Sequence, residues 1–302
     1  MWALLADDIF AAMSQERLEA SLDIDRRSAR EIVQIIQEQD ALVAAAVAAE
    51  GDRIAHAVDQ IADRLSHGGR LFYVGAGTSG RIAMLDASEL PPTYGIDASL
   101  VSVIMAGSER AFFEAVEGAE DDEDAAIAAV NAAVKAEDAV VGIAASGTTP
   151  YTVAAIRRAN MLGALTVGIT SHPSSPLASE ADIAIAPQTG PEVIMGSSRM
   201  KSGTAQKLVL NTLSTGVMIL LGRVHSNLMI DMPATNEKLR SRAVRMVELA
   251  AGVSRTIAVQ AMRDAGGSVK LASVMAGKRL SLDDAKTILA AHGGNLRKVL
   301  ES

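Results

Sequence analysis

Hydroxyl side chains cluster with glycine in two short stretches, GAGTSGR at residues 75–81 and ASGTTP at residues 145–150. Each stretch follows an apolar run typical of a strand and precedes a run typical of a helix. At such a turn, hydroxyls and the free backbone N–H groups of a helix start can bind one phosphate without a strongly basic surface. The sequence therefore predicts a phosphate site formed by Gly77, Thr78, Ser79, Ser146, Gly147, Thr148 and Thr149.

Both stretches have other interpretations. The glycines of the first stretch match the spacing of a dinucleotide-binding fingerprint. A dinucleotide site also needs an acid near the end of the second strand, and residues 100–106 supply none. A phosphate monoester is therefore favoured, with a plain tight turn as the structural alternative. For the second stretch, the alternative is that Thr148 or Thr149 only caps a helix.

A third stretch, GPEVIMGSSRMKSGT at residues 190–204, places two serines before a long helical pattern. Arg199 and Lys201 fall in the predicted first turn, where cations oppose the helix dipole. A bound anion would explain these cations, and pairing with an acid such as Glu192 is the structural alternative. The ligand interpretation adds Ser197, Ser198 and Lys201 to the predicted phosphate contacts.

Five short apolar runs alternate with Ala-rich helical segments in the middle of the chain. Their near-continuous hydrophobicity indicates parallel strands that are covered on both faces. The predicted fold is α/β, a doubly wound five-stranded parallel sheet, which binds ligands beyond the carboxyl ends of its strands. The predicted strands are Leu71–Val74, Leu100–Met105, Ala139–Ala144, Leu165–Thr170 and Ile183–Ala186.

Helical patterns flank the predicted sheet. Residues 17–65 predict two or three helices, and Pro91-Pro92 is expected to end the helix that follows the first strand. Long helices are also predicted from after Ser197 to about Leu221 and from Thr235 to Ala251.

Three short helices are predicted after residue 254, with Ser254 and Ser281 as N-caps and with Gly277 and two glycine pairs as breaks. They form a small bundle that resembles a ubiquitin-associated unit. The predicted domains are an N-terminal helical segment, a sheet domain and this bundle, at residues 1–60, 61–240 and 241–302.

Composition excludes several classes of function. The net charge of -8 disfavours binding to nucleic acid or to an anionic membrane. The chain has no Cys, and its five His residues show no paired spacing, so no metal, disulfide or thiolate chemistry is predicted. Residues 1–10 lack a signal-peptide pattern, and the apolar run at residues 217–221 is too short for a membrane span. We therefore expect a cytoplasmic protein without a cofactor.

Several long motifs occur in one order along the chain and closely resemble the N-acetylmuramic acid 6-phosphate etherases. The resemblance implies a sugar isomerase (SIS) fold and a homodimer with sites near the subunit interface. It also implies a phosphosugar substrate, which water converts into N-acetylglucosamine 6-phosphate and D-lactate in amino-sugar catabolism and cell-wall recycling. The motifs are GAGTSGR, DASELPPTYG, AVEGAED, GIAASGTTPYT, GSSRMKSGTAQKLVLN and ATNEKL.

The two functional carboxylates of that family fall on Glu89 and Glu120. The resemblance implies that one removes the proton at sugar C2, and that the other protonates the departing lactate and then activates water. The acid needs a raised pKa, and we expect Glu89 in this role because its surroundings are weakly polar. Without the resemblance, the acidic run at residues 120–124 is typical of a solvated helix start.

Glu89 lies ten residues beyond Ser79, which is a rise of roughly 15 Å on a straight helix. No hexose phosphate spans this distance comfortably. The sequence therefore predicts either that this helix is interrupted or that Glu89 completes the site of a partner subunit.

The chain also departs from the family pattern. The common Arg of the third-strand loop is Thr148 here, and the N-terminal signature is replaced around Ser14, Gln15 and Leu18. Noncatalytic phosphosugar sensors similar to the glucokinase regulatory proteins share the GTSGR and SSRMK elements, but they lack an acid matching Glu89. A sensor is therefore the main rival to the enzyme, and an aldose-ketose isomerase of the same fold is the third candidate.

Overall fold

The structure is a computed structural model, and it describes residues 17–234 and 236–302. Two 3₁₀ turns, Glu19–Ser21 and Ile24–Arg26, precede three helices, which confirms the predicted helical start. These helices are α1 (Ala29–Asp40), α2 (Val43–Ala48) and α3 (Gly51–Ser66).

A five-stranded parallel sheet follows, in the order β2-β1-β3-β4-β5, and it confirms the predicted fold. Gly75 at the end of β1 lies level with Met105 of β2 and with Ile143 of β3. The loops that follow these three strands therefore leave the same edge of the sheet. The strands are β1 (Leu71–Gly75), β2 (Val101–Met105), β3 (Ala139–Ile143), β4 (Leu165–Ile169) and β5 (Ile183–Ile185).

Helices connect the strands and continue to the end of the chain. Those between the strands are α4 (Gly77–Tyr94), α5 (Glu123–Ala133), α6 (Pro150–Leu162) and α7 (Pro176–Glu180). The short 3₁₀ turns Glu109–Phe112 and Ala119–Asp121 lie between β2 and α5. After the sheet come α8 (Lys201–Leu220), the hairpin strands β6 (Val224–His225) and β7 (Leu228–Met229), and helices α9 (Glu237–Ala251), α10 (Arg255–Asp264), α11 (Val269–Lys278), α12 (Leu282–Ala291) and α13 (Leu296–Glu301).

The chain divides into two compact units. One contains the described residues up to Ala87 together with Ser99–Ser214, and the other contains Ser88–Ala98 and Thr215–Ser302. In the first unit, β1, β3 and β4 are completely buried, as expected for strands with helices on both faces. The core of the second unit is formed by Ile230, Met232 and the helices from α9 onward, and it includes Val247 and Leu296.

Gly277 does not break a helix as predicted, because it lies inside α11. A Cβ atom at this position would approach the Leu300 side chain to 2.9 Å, so the glycine allows α11 and α13 to pack closely. Ser281 caps α12 as predicted, whereas Ser254 precedes α10 without a capping bond from its side chain to the described backbone. The predicted helix start at Thr235 lies outside the described residues, and α9 begins at Glu237.

The prediction that Pro91-Pro92 ends a helix is also wrong, because α4 continues through both prolines to Tyr94. The φ of proline fits a helix, and what proline removes is one N–H donor and some space next to the preceding turn. Each proline costs one intrahelical hydrogen bond here, and the helix retains its remaining bonds through the last turn. Gly95 closes α4 instead, with a φ of 60° and an N–H that donates to the Pro91 carbonyl at 2.9 Å.

Among the described residues, no single helix is long and apolar enough to cross a membrane. One bent pair, α1–α2 with α3, passes the same test of length and composition when its members are taken together.

Asp86 of α4 is buried and joins three elements of the first unit. Its carboxylate accepts hydrogen bonds from Tyr73 of β1 (2.9 Å) and from Asn211 (2.6 Å) and Ser214 (3.0 Å) of α8. Burial raises the pKa of the Asp86 carboxyl, and the three hydrogen bonds act in the opposite direction. This residue therefore fixes the middle of α4 and the middle of α8 against the sheet.

We expect Asp86→Ala to lower the free energy of unfolding by about 3 kcal/mol or more, because each of three buried donors loses its acceptor at a cost of about 1–3 kcal/mol. Denaturant unfolding measures this change. Asp59 is exposed on α3, and Asp59→Ala is the control. Equal effects of the two substitutions would contradict an anchoring role for Asp86.

Candidate functional site

The loop between β1 and α4 packs closely against neighbouring atoms. A Cβ atom on Gly80 would lie 2.1 Å from the Met105 sulfur, so this glycine is required by packing alone. Gly77 is different, since it has a φ of 52° and a Cβ there would meet no described atom within 4 Å. Thr78 beside it is exposed, and Ser79 is buried with its Oγ 3.0 Å from the Gln206 Oε1. Gly80 therefore allows the loop to pack tightly, while Gly77 and Thr78 lie on its solvent-exposed side.

The loop between β3 and α6 is held by its neighbours. Gly147 has a φ of 69°, and a Cβ there would lie 2.1 Å from the Ser175 Oγ. Thr148 donates to the Ser146 Oγ through both its N–H (3.2 Å) and its hydroxyl (2.9 Å). Thr149 is the N-cap residue of α6, but its hydroxyl makes no capping bond to the described backbone. Helix capping therefore does not account for the hydroxyls of this loop.

The predicted position of Arg199 in the third stretch is wrong. Helix α8 begins at Lys201, so Arg199 precedes the helix instead of lying in its first turn. The Glu192 carboxylate accepts the N–H groups of Lys201 and Ser202, both at 3.0 Å, and thereby caps α8. This acid stabilises the helix start, as the structural alternative expected, but it does so through backbone amides.

Lys201 does not present its charge to the loops, contrary to the predicted phosphate contact. Its side chain is 1% exposed, and its ammonium donates to the Gln39 Oε1 at 3.0 Å and to the Pro191 carbonyl at 2.9 Å. Burial lowers the pKa of this ammonium. Lys201 therefore joins the segment before α8 to helix α1.

Ser197 and Ser198 lie just before α8, with Ser198 exposed. A Cβ atom on Gly203 would lie 3.5 Å from the Ser198 carbonyl and 3.9 Å from the Thr78 methyl group. The start of α8 therefore lies beside the β1–α4 loop. The structure brings the first and third predicted stretches together, and the sheet register brings the first and second together.

Glu120 lies on the 3₁₀ turn Ala119–Asp121 and is exposed. This turn packs against α6, the helix that follows the β3 loop. Asp122, and not Glu120, caps α5 by accepting the Ala125 N–H at 2.8 Å. The acidic run therefore does contain a helix cap, but Glu120 takes no part in it.

Arg81 of α4 attaches the segment before this turn. Its guanidinium donates to the carbonyl groups of Phe112 (3.2 Å) and Glu114 (3.0 Å). The segment also folds tightly on itself, because a Cβ on Gly107 would lie 3.2 Å from the Ala119 Cβ. Arg81 thus helps to place the turn that carries Glu120.

We expect Arg81→Ala to lower kcat by about 10- to 100-fold, because the family resemblance implies that Glu120 is a reacting group, and a shift of about 1 Å in such a group costs roughly that much. KM should change far less, since Arg81 donates to backbone carbonyls and not to the phosphate loops. Arg110 also pairs with Glu114, through an exposed side-chain contact, so Arg110→Ala is the matched control. A rise in KM at constant kcat would contradict this role for Arg81.

Glu89 belongs to the second unit and is exposed on α4. The helix is uninterrupted from Gly77 to Tyr94, so the predicted alternative of a broken helix is wrong. The single chain also does not bury the Glu89 side chain, although burial was one expected way to keep this acid protonated.

In the part of the chain that the structure describes, no group of three or more His, Cys, Asp or Glu residues is arranged to hold a metal ion.

Comparisons with known proteins assign the chain to a family. The family model of the glucokinase regulatory protein N-terminal SIS domain matches residues 53–160, and that of the SIS domain matches residues 114–215. An N-acetylmuramic acid 6-phosphate etherase from Symbiobacterium thermophilum is 60% identical over 87% of each chain. The chain belongs to the N-acetylmuramic acid 6-phosphate etherase family. The family enzyme of Clostridium beijerinckii is 48% identical over 95% of each chain.

A solved structure supports the fold of this etherase-family chain. A phosphoheptose isomerase from Francisella tularensis matches with a TM-score of 0.50 at 19% identity, covering 63% of this chain and 98% of the other. At this identity the similarity concerns the fold alone.

Sequence reasoning assigned no role to Asp86, Gln206 or Asn211. All three lie inside motifs that carry the family resemblance, but the motifs do not say which side chains meet. The available signal was a polar residue on the buried face of a helix, as Gln206 is beside Ala205 and Val209 in α8.

Proposed function

We propose that this chain is an N-acetylmuramic acid 6-phosphate etherase, which cleaves the D-lactyl ether of its substrate with water. The products are N-acetylglucosamine 6-phosphate and D-lactate. The observation that carries the proposal is the 60% identity, over 87% of each chain, to a protein named for this activity. The geometry supports it, because hydroxyl-bearing loops that suit one phosphate lie at the same edge of the sheet as Glu120.

The reaction is an elimination followed by hydration. In the open-chain sugar, C2 lies next to the aldehyde, so its proton is acidic, and the lactyl oxygen is attached to C3. A base takes the C2 proton, a C2–C3 double bond forms, and the C3–O bond breaks as an acid protonates lactate. Water then adds its oxygen to C3 and a proton returns to C2. Two carboxyl groups suffice for these proton transfers.

We assign these groups to Glu120 and Glu89. Glu120 takes the C2 proton, and Glu89 protonates lactate and then deprotonates water. The phosphate is held by Gly77, Thr78 and Ser79, by Ser146, Gly147, Thr148 and Thr149, and by Ser197 and Ser198. Lys201 is placed outside this set because its ammonium is buried on Gln39 and Pro191.

We propose further that the protein is a homodimer in the cytoplasm and that Glu89 completes the site of the partner subunit. The support is that α4 is uninterrupted and that Glu89 is exposed in the single chain. Residues 61–240 then form the phosphosugar-binding domain, residues 1–60 a helical extension, and residues 241–302 a bundle that packs on the partner subunit.

The test is incubation with N-acetylmuramic acid 6-phosphate in water enriched in heavy oxygen. Lactate is released, and the label is found at C3 of N-acetylglucosamine 6-phosphate, because the C3–O bond breaks. Label in lactate would mean hydrolysis at the lactyl carbon and would overturn the elimination. Tight binding without lactate would identify a phosphosugar sensor, and interconversion of hexose 6-phosphates would identify an isomerase.

A further inference from the structure

The buried amide of Gln206 has one satisfied end and one unsatisfied end. Gln206 lies on α8 and is 3% exposed, and its Oε1 accepts the Ser79 hydroxyl at 3.0 Å. Its Nε2 is also buried and has no hydrogen-bond partner among the described residues. Buried side-chain N–H groups are nearly always paired, so this orphan donor requires an explanation.

In this arrangement the Ser79 hydroxyl donates its proton to Gln206 and not to a ligand. A phosphate accepts hydrogen bonds, so a serine that binds it must donate its proton. In this structure the Ser79 proton points at Gln206, although Ser79 is 8% exposed in the first turn of α4, within the predicted phosphate loop. Ser79 cannot serve the phosphate in this state.

One movement resolves both features. A half-turn of the Gln206 amide exchanges Oε1 and Nε2 with almost no change of shape. Nε2 then donates to the Ser79 Oγ, which satisfies an orphan N–H, and the Ser79 proton is released toward the phosphate loop. One unpaired N–H and one unpaired carbonyl oxygen then remain in place of two unpaired N–H groups, and unpaired carbonyls are more readily tolerated than unpaired N–H groups.

We propose that Gln206 is a positioning residue whose amide turns when phosphate binds, so that Ser79 changes from a donor to Gln206 into a donor to the phosphate. The proposal rests on the proposed function, because it takes the phosphosugar of that reaction as the ligand. Gln206 itself does not touch the substrate, and its effect is transmitted entirely through the Ser79 hydroxyl.

The experiment is a double-mutant cycle between Ser79→Ala and Gln206→Met. Binding of N-acetylglucosamine 6-phosphate is measured by calorimetry, and thermal melting verifies that each variant folds. Each single substitution should weaken binding by about 10-fold or more, the range for one hydrogen bond to a charged group. The double variant should bind as weakly as Ser79→Ala alone, because Gln206 acts only through that hydroxyl.

A second variant tests the direction of the hydrogen bond. In Gln206→Glu the ionised carboxylate can only accept, so it retains the Ser79 proton, and affinity should fall by about 10- to 100-fold. Gln34 bonds Glu38 on exposed α1, and Gln34→Met is the control, which should leave binding unchanged. Additive effects in the cycle, or full affinity in Gln206→Glu, would overturn the proposal.

The outcomes also separate this inference from the proposed function. If the unmodified protein binds the sugar phosphate but releases no lactate from N-acetylmuramic acid 6-phosphate, the etherase assignment fails and the cycle can still be completed. If lactate is released and the cycle is additive, only the role of Gln206 fails.

Discussion

Replacing either Glu89 or Glu120 by Gln lowers kcat for lactate release by about 10²- to 10⁴-fold, which is the usual contribution of a general acid or base. KM should change little, because the phosphate loops hold most of the substrate and Gln keeps the shape of Glu. Steady-state assays of lactate release, together with calorimetry of product binding, separate the two parameters. A variant with near-normal kcat would remove that carboxyl from the mechanism.

Glu109 supplies the control for both carboxylates. It lies in the 3₁₀ turn Glu109–Phe112, is exposed and has the same side chain, so Glu109→Gln should retain full activity.

Mixing the two inactive variants tests whether the site is shared. If Glu89 of one subunit acts with Glu120 of the other, each mixed dimer has one intact site, and random mixing restores about one quarter of normal activity. If both residues act within one chain, both sites of a mixed dimer are damaged and no activity returns. Unfolding and refolding the mixture together ensures that subunits exchange.

Gly147→Ala is expected to lower stability more than the same substitution at Gly77, the other glycine of the proposed phosphate site. Its φ of 69° strains any other residue, and the new Cβ would lie 2.1 Å from the Ser175 Oγ and 2.4 Å from the Ser175 Cβ. Strain and overpacking together should lower the free energy of unfolding by about 2–5 kcal/mol. The β3–α6 loop would also move, so substrate binding should weaken in parallel.

Two other glycines separate these causes. Gly77 has a φ of 52° and a Cβ there would meet no described atom within 4 Å, so Gly77→Ala should cost only about 1 kcal/mol from strain. Gly51 opens α3 with an ordinary φ and equal space, and Gly51→Ala should be neutral or slightly stabilising. Denaturant unfolding of the three variants measures the free energy of unfolding. Equal decreases for Gly147→Ala and Gly77→Ala would show that the close contacts with Ser175 add no cost.

Local sequence patterns were sufficient to predict much of the fold of this protein. Apolar runs predicted the five strands to within one residue at either end, because a strand buried on both faces needs an unbroken run of apolar side chains. Parallel strands end at one edge, so the sequence also predicted that the hydroxyl-rich loops after β1 and β3 are neighbours. The motifs around Glu89 and Glu120 identified the family, because several long matches in one order are far more specific than a glycine spacing.

Tertiary structure decided which side chains meet. Ser79 and Gln206 are separated by 127 residues, and Asp86 bonds Asn211 and Ser214 across similar separations. The direction of the Lys201 ammonium and the place of Gly277 within α11 likewise depend on neighbouring helices. A sequence pattern records the face that each helix buries, but hydrogen-bond partners are chosen by the packing of one helix on another. The physical reason is that pattern reflects local backbone geometry, whereas these contacts arise only after distant segments have packed together.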